Sequence, residues 1–474
     1  MIVVGTNESR TGIRLSRRTF IAWAAGATAL TLLQACAPAA APAPTTVPPA
    51  PTKAPVVAPT PAPTLAPTAK PAAPKPKVVV QMWYYVPGKQ AEHVEKMAAN
   101  FTKEFPHIEV QMLVVPAVDL STKLATAVAA GTPPDIPFMG GTVLCNQMMD
   151  AEKLVPLDKF RPDLATLDWL EPLKKSLVRE GHMYAVPVHS GTLGVYYNRE
   201  RYKEAGLDPD KPPATWDDLV RYAKAIAKPD KAIWGHYIVT KPTWHSGATW
   251  IAYLWQAGGE WLSPDESEVA FNSAAGVEAL QFYVDLVHKH KVTPLKSIDG
   301  VIAGTDFETG NVGHITLYTD WLARLAALKF RAGTAKLPRH KVEVTILGSN
   351  SIAMFKDAKH KEEAWTFLDW LMKPANAIEF VKGLGNLPTR HSIRESPAFK
   401  EVLKENPLLA PFAEAQPTAR LAYDGPGGVE MFQQAALGIE VAVFGQKTPK
   451  QALDEAAKEA NEILKRERAK VKKM

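Results

Sequence analysis

The sequence predicts an α/β protein of two lobes, with parallel-rich sheets and helices on both sheet faces. Three observations lead there. From Val78 onward, short β-branched runs alternate with amphipathic stretches in a βαβαβ order, the pattern of a largely parallel sheet covered by helices. The chain has 474 residues, too many for one ordinary core. Residues 181–198, GHMYAVPVHSGTLGVYYN, read as extended aromatic and β-branched backbone interrupted by Pro187 and Gly191. Pro187 has a fixed φ and no donor, and glycine permits a turn or a close approach, so this stretch predicts two short strands joined at a bend. It is either a strand pair within one sheet or a crossing where the chain leaves one lobe for another.

The elements follow in chain order. Ser16-Arg17-Arg18-Thr19-Phe20-Ile21 looks like a twin-arginine export signal. The apolar run 20–33 behind it is shorter than the roughly 20 residues of a membrane-spanning helix and matches a signal-peptide apolar region. It ends Leu33-Gln34-Ala35-Cys36, which resembles a bacterial lipobox, although Gln34 departs from the small residue preferred there. Cys36 is then the candidate lipidation site at the end of a 1–36 signal peptide, the alternative being an uncleaved anchor with an incidental cysteine. Twin-arginine export carries folded cargo, so the body is expected to fold before it crosses the membrane. Residues 37–77 hold 14 prolines, 13 alanines and six threonines. Such a segment cannot bury enough apolar surface to offset its ordering entropy and predicts a disordered tether. In polyproline II it reaches on the order of 100 Å.

The body opens with a buried strand, 78–83, and a helix over 90–105 whose stripe is Val94, Met97, Ala98 and Phe101. A strand over 108–115, a helix over 120–130 and the rigid turn Gly131-Thr132-Pro133-Pro134-Asp135 lead into a third strand. Ligands on such sheets bind beyond the carboxyl ends of the strands. That places Trp83, Tyr84 and Tyr85 on one wall of a cleft and Gly140 and Gly141 on another. Further on, Thr215 caps a helix with Asp218 at its third position, and Trp216, Leu219, Val220, Ala223 and Ile226 make its apolar stripe. A helix over 274–288, an alternating strand from His314 into a loop at Asp320 and Trp321, a helix over 361–372 and a terminal helix over 449–468 complete the body.

The formal charge of +6 belongs to the N-terminal segment. Residues 1–77 carry eight basic residues and one acid, leaving 47 basic and 48 acidic residues beyond them. A neutral body removes the main argument for nucleic-acid binding. Two cysteines, Cys36 and Cys145, build neither a disulfide framework nor a multi-cysteine metal site. No nucleophile elbow, zinc-protease helix, phosphate loop or dinucleotide fingerprint occurs, so neither an enzyme nor a cofactor is expected. Cys145 reads as a small buried hydrophobe, and His288 and His290 face different sides of their helix.

The order of motifs carries a resemblance. Phe101 to Ile108 reads Phe-x3-Phe-Pro-x-Ile, and Ala129-Ala130-Gly131-Thr132-Pro133-Pro134-Asp135 follows. Then come Tyr184-Ala185-Val186-Pro187, Tyr197-Asn198, Ala205-Gly206-Leu207-Asp208-Pro209, Pro213-Ala214-Thr215-Trp216 and Gly258-Gly259. Glu363-Ala364-Trp365-Thr366-Phe367 and Leu387-Pro388-Thr389-Arg390 close the series. Together they resemble the family 1 extracellular solute-binding proteins, the sugar-binding components of bacterial ABC importers. The resemblance implies a type II periplasmic-binding-protein fold whose two lobes close by hinge motion. Lobe one would be 78–186 with 350–405, and lobe two 187–349 with 406–474. It further implies a monomer held outside the cytoplasm by a lipid anchor, with a carbohydrate ligand and the membrane subunits of an ABC permease as partners.

Sugars present apolar C–H faces and a rim of hydroxyls, so a site needs aromatic platforms and well-placed polar groups. Of the 12 tryptophans, Trp216, Trp365 and Trp370 sit on helix stripes and read as core. The resemblance favours Trp83 and Tyr85 after the first strand, His189 in the crossing, Trp244, and the pair Asp320 and Trp321, with Trp321 as a stacking platform; Gly140 and Gly141 remain candidates from their place at a strand end. Phe432 and Arg390 are further candidates. For each tryptophan the alternative is a place in the core, for His189 a hinge role, and for Arg390 a helix cap. A binder of another small solute (sugar phosphate, polyamine or peptide) keeps the fold and changes the pocket, and phosphate would call for convergent Arg or Lys. An exported glycan-acting enzyme would need two carboxylates at a set separation.

Overall fold

The computed structural model describes residues 76–85 and 88–471. The export signal, Cys36 and nearly all of the tether lie outside the described residues. Strands β1 (Val78–Tyr84), β2 (Ile108–Val114) and β3 (Ile136–Gly140) are parallel in the order β2-β1-β3, with helices Lys89–Glu104 and Ala117–Ala129 as the crossovers. Alternation explains β1: Val80, Met82 and Tyr84 turn one way and are buried, together with Val94, Met97 and Phe101 of the first helix.

After a small hairpin of β4 (Val178–Arg179) and β5 (His182–Met183), the chain enters β6 (Ala185–Asn198), 14 residues and all of them buried. The expected pair of short strands is therefore one long strand. Pro187 lacks a ladder donor, and the chain absorbs this with a bulge: Asn350 faces His189 and Ser351 faces Pro187, so Val188 has no opposite number. Beyond β6 come β7 (Trp234–Tyr237), β8 (Val312–Tyr318), β9 (Ala332–Lys336), β10 (Thr345–Ala353) and β11 (Ala419–Leu421). The path is β2-β1-β3-β10-β6-β8-β7, with β9 added to β6 and β11 to β10. Antiparallel β6 and β10 serve both halves. Residues 350–352 of β10 pair with β3, residues 185–189 of β6 pair with β10, and residues 193–198 of β6 pair with β8 and β9.

Each half has its own core. Val80, Phe101, Phe138, Ile352, Phe367 and Trp370 cluster on one side, and Trp216, Trp250, Tyr253, Phe271, Leu280 and Leu453 on the other. The Thr215 cap forms, its hydroxyl accepting the Asp218 N–H at 3.1 Å, and Trp216 Nε1 donates to Gln256 Oε1 at 2.6 Å. The segment 350–405 makes packing contacts in both halves. Helix Lys361–Met372 packs with the first cluster, but Phe399 and Val402 pack with Ile315, Trp321 and Phe412. Among the described residues no helix is long and apolar enough to cross a membrane.

Candidate functional site

The carboxyl ends of the parallel strands converge where β6 and β10 cross between the halves. β1 ends at Tyr84 just before Tyr85, β3 ends at Gly140 where Gly141 starts a helix, and β8 ends at Tyr318 and runs into Thr319 and Asp320. Gly191 makes the approach possible, since a Cβ there would lie 2.1 Å from Thr319 Oγ1. The Thr319 hydroxyl in turn donates to Asn386 Oδ1 at 2.8 Å. Tyr318 lays its ring over Gly348 of β10, 3.3 Å from where a Cβ would stand, and its carbonyl accepts the Tyr196 hydroxyl at 2.6 Å. The His245 ring, from the first turn of helix Trp244–Gln256, stands 6.1 Å from that of Tyr318.

Asn350 organises the opposite wall. Its Oδ1 accepts the Tyr85 hydroxyl at 2.8 Å and the Gly141 N–H at 3.0 Å, and its Nδ2 reaches His189 Nε2 at 3.0 Å. For that last bond His189 must be neutral and carry its proton on Nδ1, which is buried without a partner. Burial holds His189 at about 3, which keeps it in that form. Two further groups join the halves. Gln90 Nε2, in the first helix, donates to the Leu384 carbonyl at 2.9 Å and lies 3.5 Å from that of Asp320. Asp424, in the loop before helix Gly428–Val443, accepts from Asn146 Nδ2 at 3.0 Å and from the Ser176 hydroxyl.

Asp320 is exposed by accessible surface, yet the protein around it desolvates the carboxyl and pushes it up. Its charge reaches tyrosines of both halves: burial first and Asp320 second push Tyr85 and Tyr318 up, and it acts likewise on Tyr196 and, after Tyr85, on Tyr84. Asp320 forms no ion pair among the described residues. The Arg324 guanidinium that eases its charge is itself paired with Glu308 at 3.1 Å.

Of the sequence candidates, Tyr85, Gly140, Gly141 and Asp320 gather here; a Cβ on Gly140 would sit 3.4 Å from the Tyr85 ring. His189 reaches the site only through Asn350, because it is 5% exposed. Five candidates need correction or qualification. Trp83 is half-buried and, like Tyr85, packs against the Leu120, Leu124 and Met139 cluster, which qualifies it as a platform. Trp321 sits in a 3-10 turn, Thr319–Ala327, with Tyr196 and Phe307 edge-on at 5.1 and 5.7 Å, so it is core and not a platform. Phe432 is buried against Trp261 at 4.5 Å. Arg390 donates to Asp168 at 2.8 Å, and with the Ser392 amide it holds that carboxyl at about 2 despite its partial burial. Trp244 begins a helix rather than lying in a loop, and its side chain lies outside the described residues. Cys145 is buried as expected, and burial and then Asp424 push its thiol up to about 12.

Sequence reasoning missed Tyr318, His245 and Asn350. Asn350 had a signal in Gly348-Ser349-Asn350-Ser351, four small residues where an apolar strand would be expected.

The sequence model of the bacterial extracellular solute-binding proteins matches residues 87–378. The chain belongs to that family. This solute-binding protein is similar in structure to the cyclic α-maltosyl-1,6-maltose binding protein of Arthrobacter globiformis. The identity is 30%, 82% of this chain and 100% of that one are covered, and the TM-score is 0.73. A binding protein of Brucella abortus is 28% identical over 389 residues, 80% of this chain and 91% of its own length. The sn-glycerol-3-phosphate-binding periplasmic protein of Pectobacterium atrosepticum is 24% identical over 420 residues, 82% and 91% of the two chains. These relatives are named as binding proteins, and the family's extracellular character places this member outside the cytoplasm.

Proposed function

We propose that this solute-binding protein takes up a sugar or oligosaccharide between its two lobes and delivers it, as a monomer, to the permease of an ABC importer. One observation carries the reading: at the strand ends of the two halves the Tyr85 hydroxyl bonds Asn350 of β10 at 2.8 Å, the Tyr318 ring lies over Gly348 of the same strand, and the Asp320 carboxylate beside Tyr318 is exposed. Aromatic faces suit sugar C–H surfaces, and the amide and carboxylate suit hydroxyls. The relative from Arthrobacter globiformis is named for a maltosyl oligosaccharide. A sugar phosphate, suggested by the Pectobacterium relative, has less support, since Arg324 and Arg390 are committed to Glu308 and Asp168. Calorimetric titration with linear and cyclic maltooligosaccharides is expected to give saturable binding without product, and X-ray scattering a smaller radius of gyration when bound. Saturation with an unchanged radius would put the ligand in one lobe and overturn closure between two.

The anchor is part of the same reading. The twin arginines, the short apolar run and Cys36 in order support export and lipidation of the mature chain, with 37–77 as its tether. Cys36→Ala is expected to shift the protein from the membrane fraction to a soluble or unprocessed form. Unchanged fractionation and gel mobility would remove the lipid anchor.

A further inference from the structure

We propose that Asn350 is a positioning residue for solute recognition: it takes the Tyr85 hydroxyl proton, so that Tyr85 meets the solute only as an acceptor and selects a hydroxyl that donates. This rests on the sugar-site reading above and narrows it to one hydrogen-bond direction at one place.

A backbone donor sets that direction. The Gly141 N–H can only donate, and it lies 3.0 Å from one end of the Asn350 amide. That end must be Oδ1, which turns Nδ2 to the other side, where it meets His189 Nε2 at 3.0 Å. His189 is 5% exposed and supplies there the acceptor that the amide nitrogen needs, so ring and amide hold each other in one orientation. The Tyr85 hydroxyl stands 2.8 Å from the same Oδ1. A carbonyl oxygen cannot donate, so the tyrosine must, and its single proton is committed. Only lone pairs remain on Tyr85 Oη.

The flank of that hydroxyl is open. Gly140 is exposed, and a Cβ on it would lie 3.4 Å from the Tyr85 ring and 3.7 Å from the hydroxyl, ordinary contact distances. Its φ of −72° and ψ of 111° suit any residue, so neither backbone strain nor crowding calls for glycine here. The missing side chain leaves room beside Oη. Phe138 at 5.7 Å and Tyr84 at 6.1 Å flank the half-buried Tyr85 ring and hold it in place. An acceptor fixed in this way discriminates. A solute group that donates pairs with it, whereas one that only accepts sets lone pair against lone pair, and both lose the water they were bonded to.

The test is calorimetric titration of the purified protein with maltotriose and with its monodeoxy and monodeoxyfluoro derivatives. At one position of the sugar, the deoxy and deoxyfluoro derivatives are both expected to bind about tenfold more weakly than maltotriose and equally so, because fluorine cannot donate. Tyr85→Phe is expected to erase the differences among the three at that position, with the thermal midpoint of the unliganded protein as the check on folding. Asn350→Leu releases the Tyr85 proton, and the deoxyfluoro derivative is then expected to bind more tightly than the deoxy one. Asn350→Asp keeps an acceptor towards Tyr85 and is expected to keep the wild-type pattern. A deoxyfluoro derivative that matches maltotriose at the Tyr85-dependent position would overturn the proposal and leave the sugar reading standing. So would the absence of any position whose loss depends on Tyr85, or a wild-type pattern that persists in Asn350→Leu. If maltotriose does not bind at all, both readings fall together.

Discussion

Trp321→Ala will lower the stability of the unliganded protein by about 3–5 kcal/mol, the usual cost of removing a large buried aromatic side chain. The ring is 9% exposed and closed in on several sides. Tyr196 and Phe307 meet it edge-on, and helix Gly300–Glu308 comes so near that a Cβ on Gly304 would lie 2.5 Å from its indole nitrogen. Leu322, Ile315 and Phe399 belong to the same cluster. Because Gly304 and the flanking rings are held by the sheet and its helices, the void cannot collapse fully, and truncation leaves a cavity beneath the turn that carries Asp320. Urea unfolding of the apo variant measures the loss. A change below about 0.5 kcal/mol, within what surface substitutions typically cause, together with collapsed ligand affinity, would return Trp321 to the role of a platform.

The contrast between Asp320 and Trp321 shows what a sequence can and cannot give at such a site. Periodicity locates the strands and helices, the rule that ligands sit beyond strand ends puts Tyr85, Gly140 and Gly141 near one another, and the family resemblance adds Asp320; each is a backbone position, set by where its own strand stops. Side-chain direction is a different matter. A tryptophan one residue past a strand reads the same whether its ring turns into the cleft or under the neighbouring helix. The answer for Trp321 depends on Gly304, and that for Phe432 on Trp261, which approach only in the folded chain. Arg390 was ambiguous for the same reason, since its partner Asp168 is distant in sequence. The long crossing strand departs from the expected strand pair because Pro187 and Gly191 do not end it. The partner strand β10 instead accommodates Pro187 by a bulge, and the bulge is what sets His189 opposite Asn350.

Acid will unfold this protein over a range set by buried neutral histidines. His236 is fully buried with both ring nitrogens unpartnered, and burial, with His314 beside it, holds it at about 3. His314 is also fully buried, with Nδ1 at 2.7 Å from the Gly235 carbonyl and Nε2 at 2.7 Å from the Tyr202 hydroxyl; burial holds it at about 4. His189 stands at about 3. In the unfolded chain each titrates near 6.5. A folded pKa below the unfolded one means that the unfolded chain takes up the proton first. Stability is therefore full above about pH 6.5 and falls as pH drops towards the folded values, by up to about tenfold in the folding constant per histidine per pH unit. Three such groups make the loss between pH 5.5 and 4.5 as large as about a thousandfold, whereas ordinary carboxylates titrate mostly below that window. Urea midpoints at pH 7, 5.5 and 4.5 will fall accordingly. His236→Phe, which removes two unpartnered polar atoms and a site of protonation, is expected to flatten the dependence by one proton and to be most beneficial at pH 4.5. A midpoint that stays level from pH 7 to 4.5, or a variant with an unchanged slope, would show that these histidines do not govern acid stability.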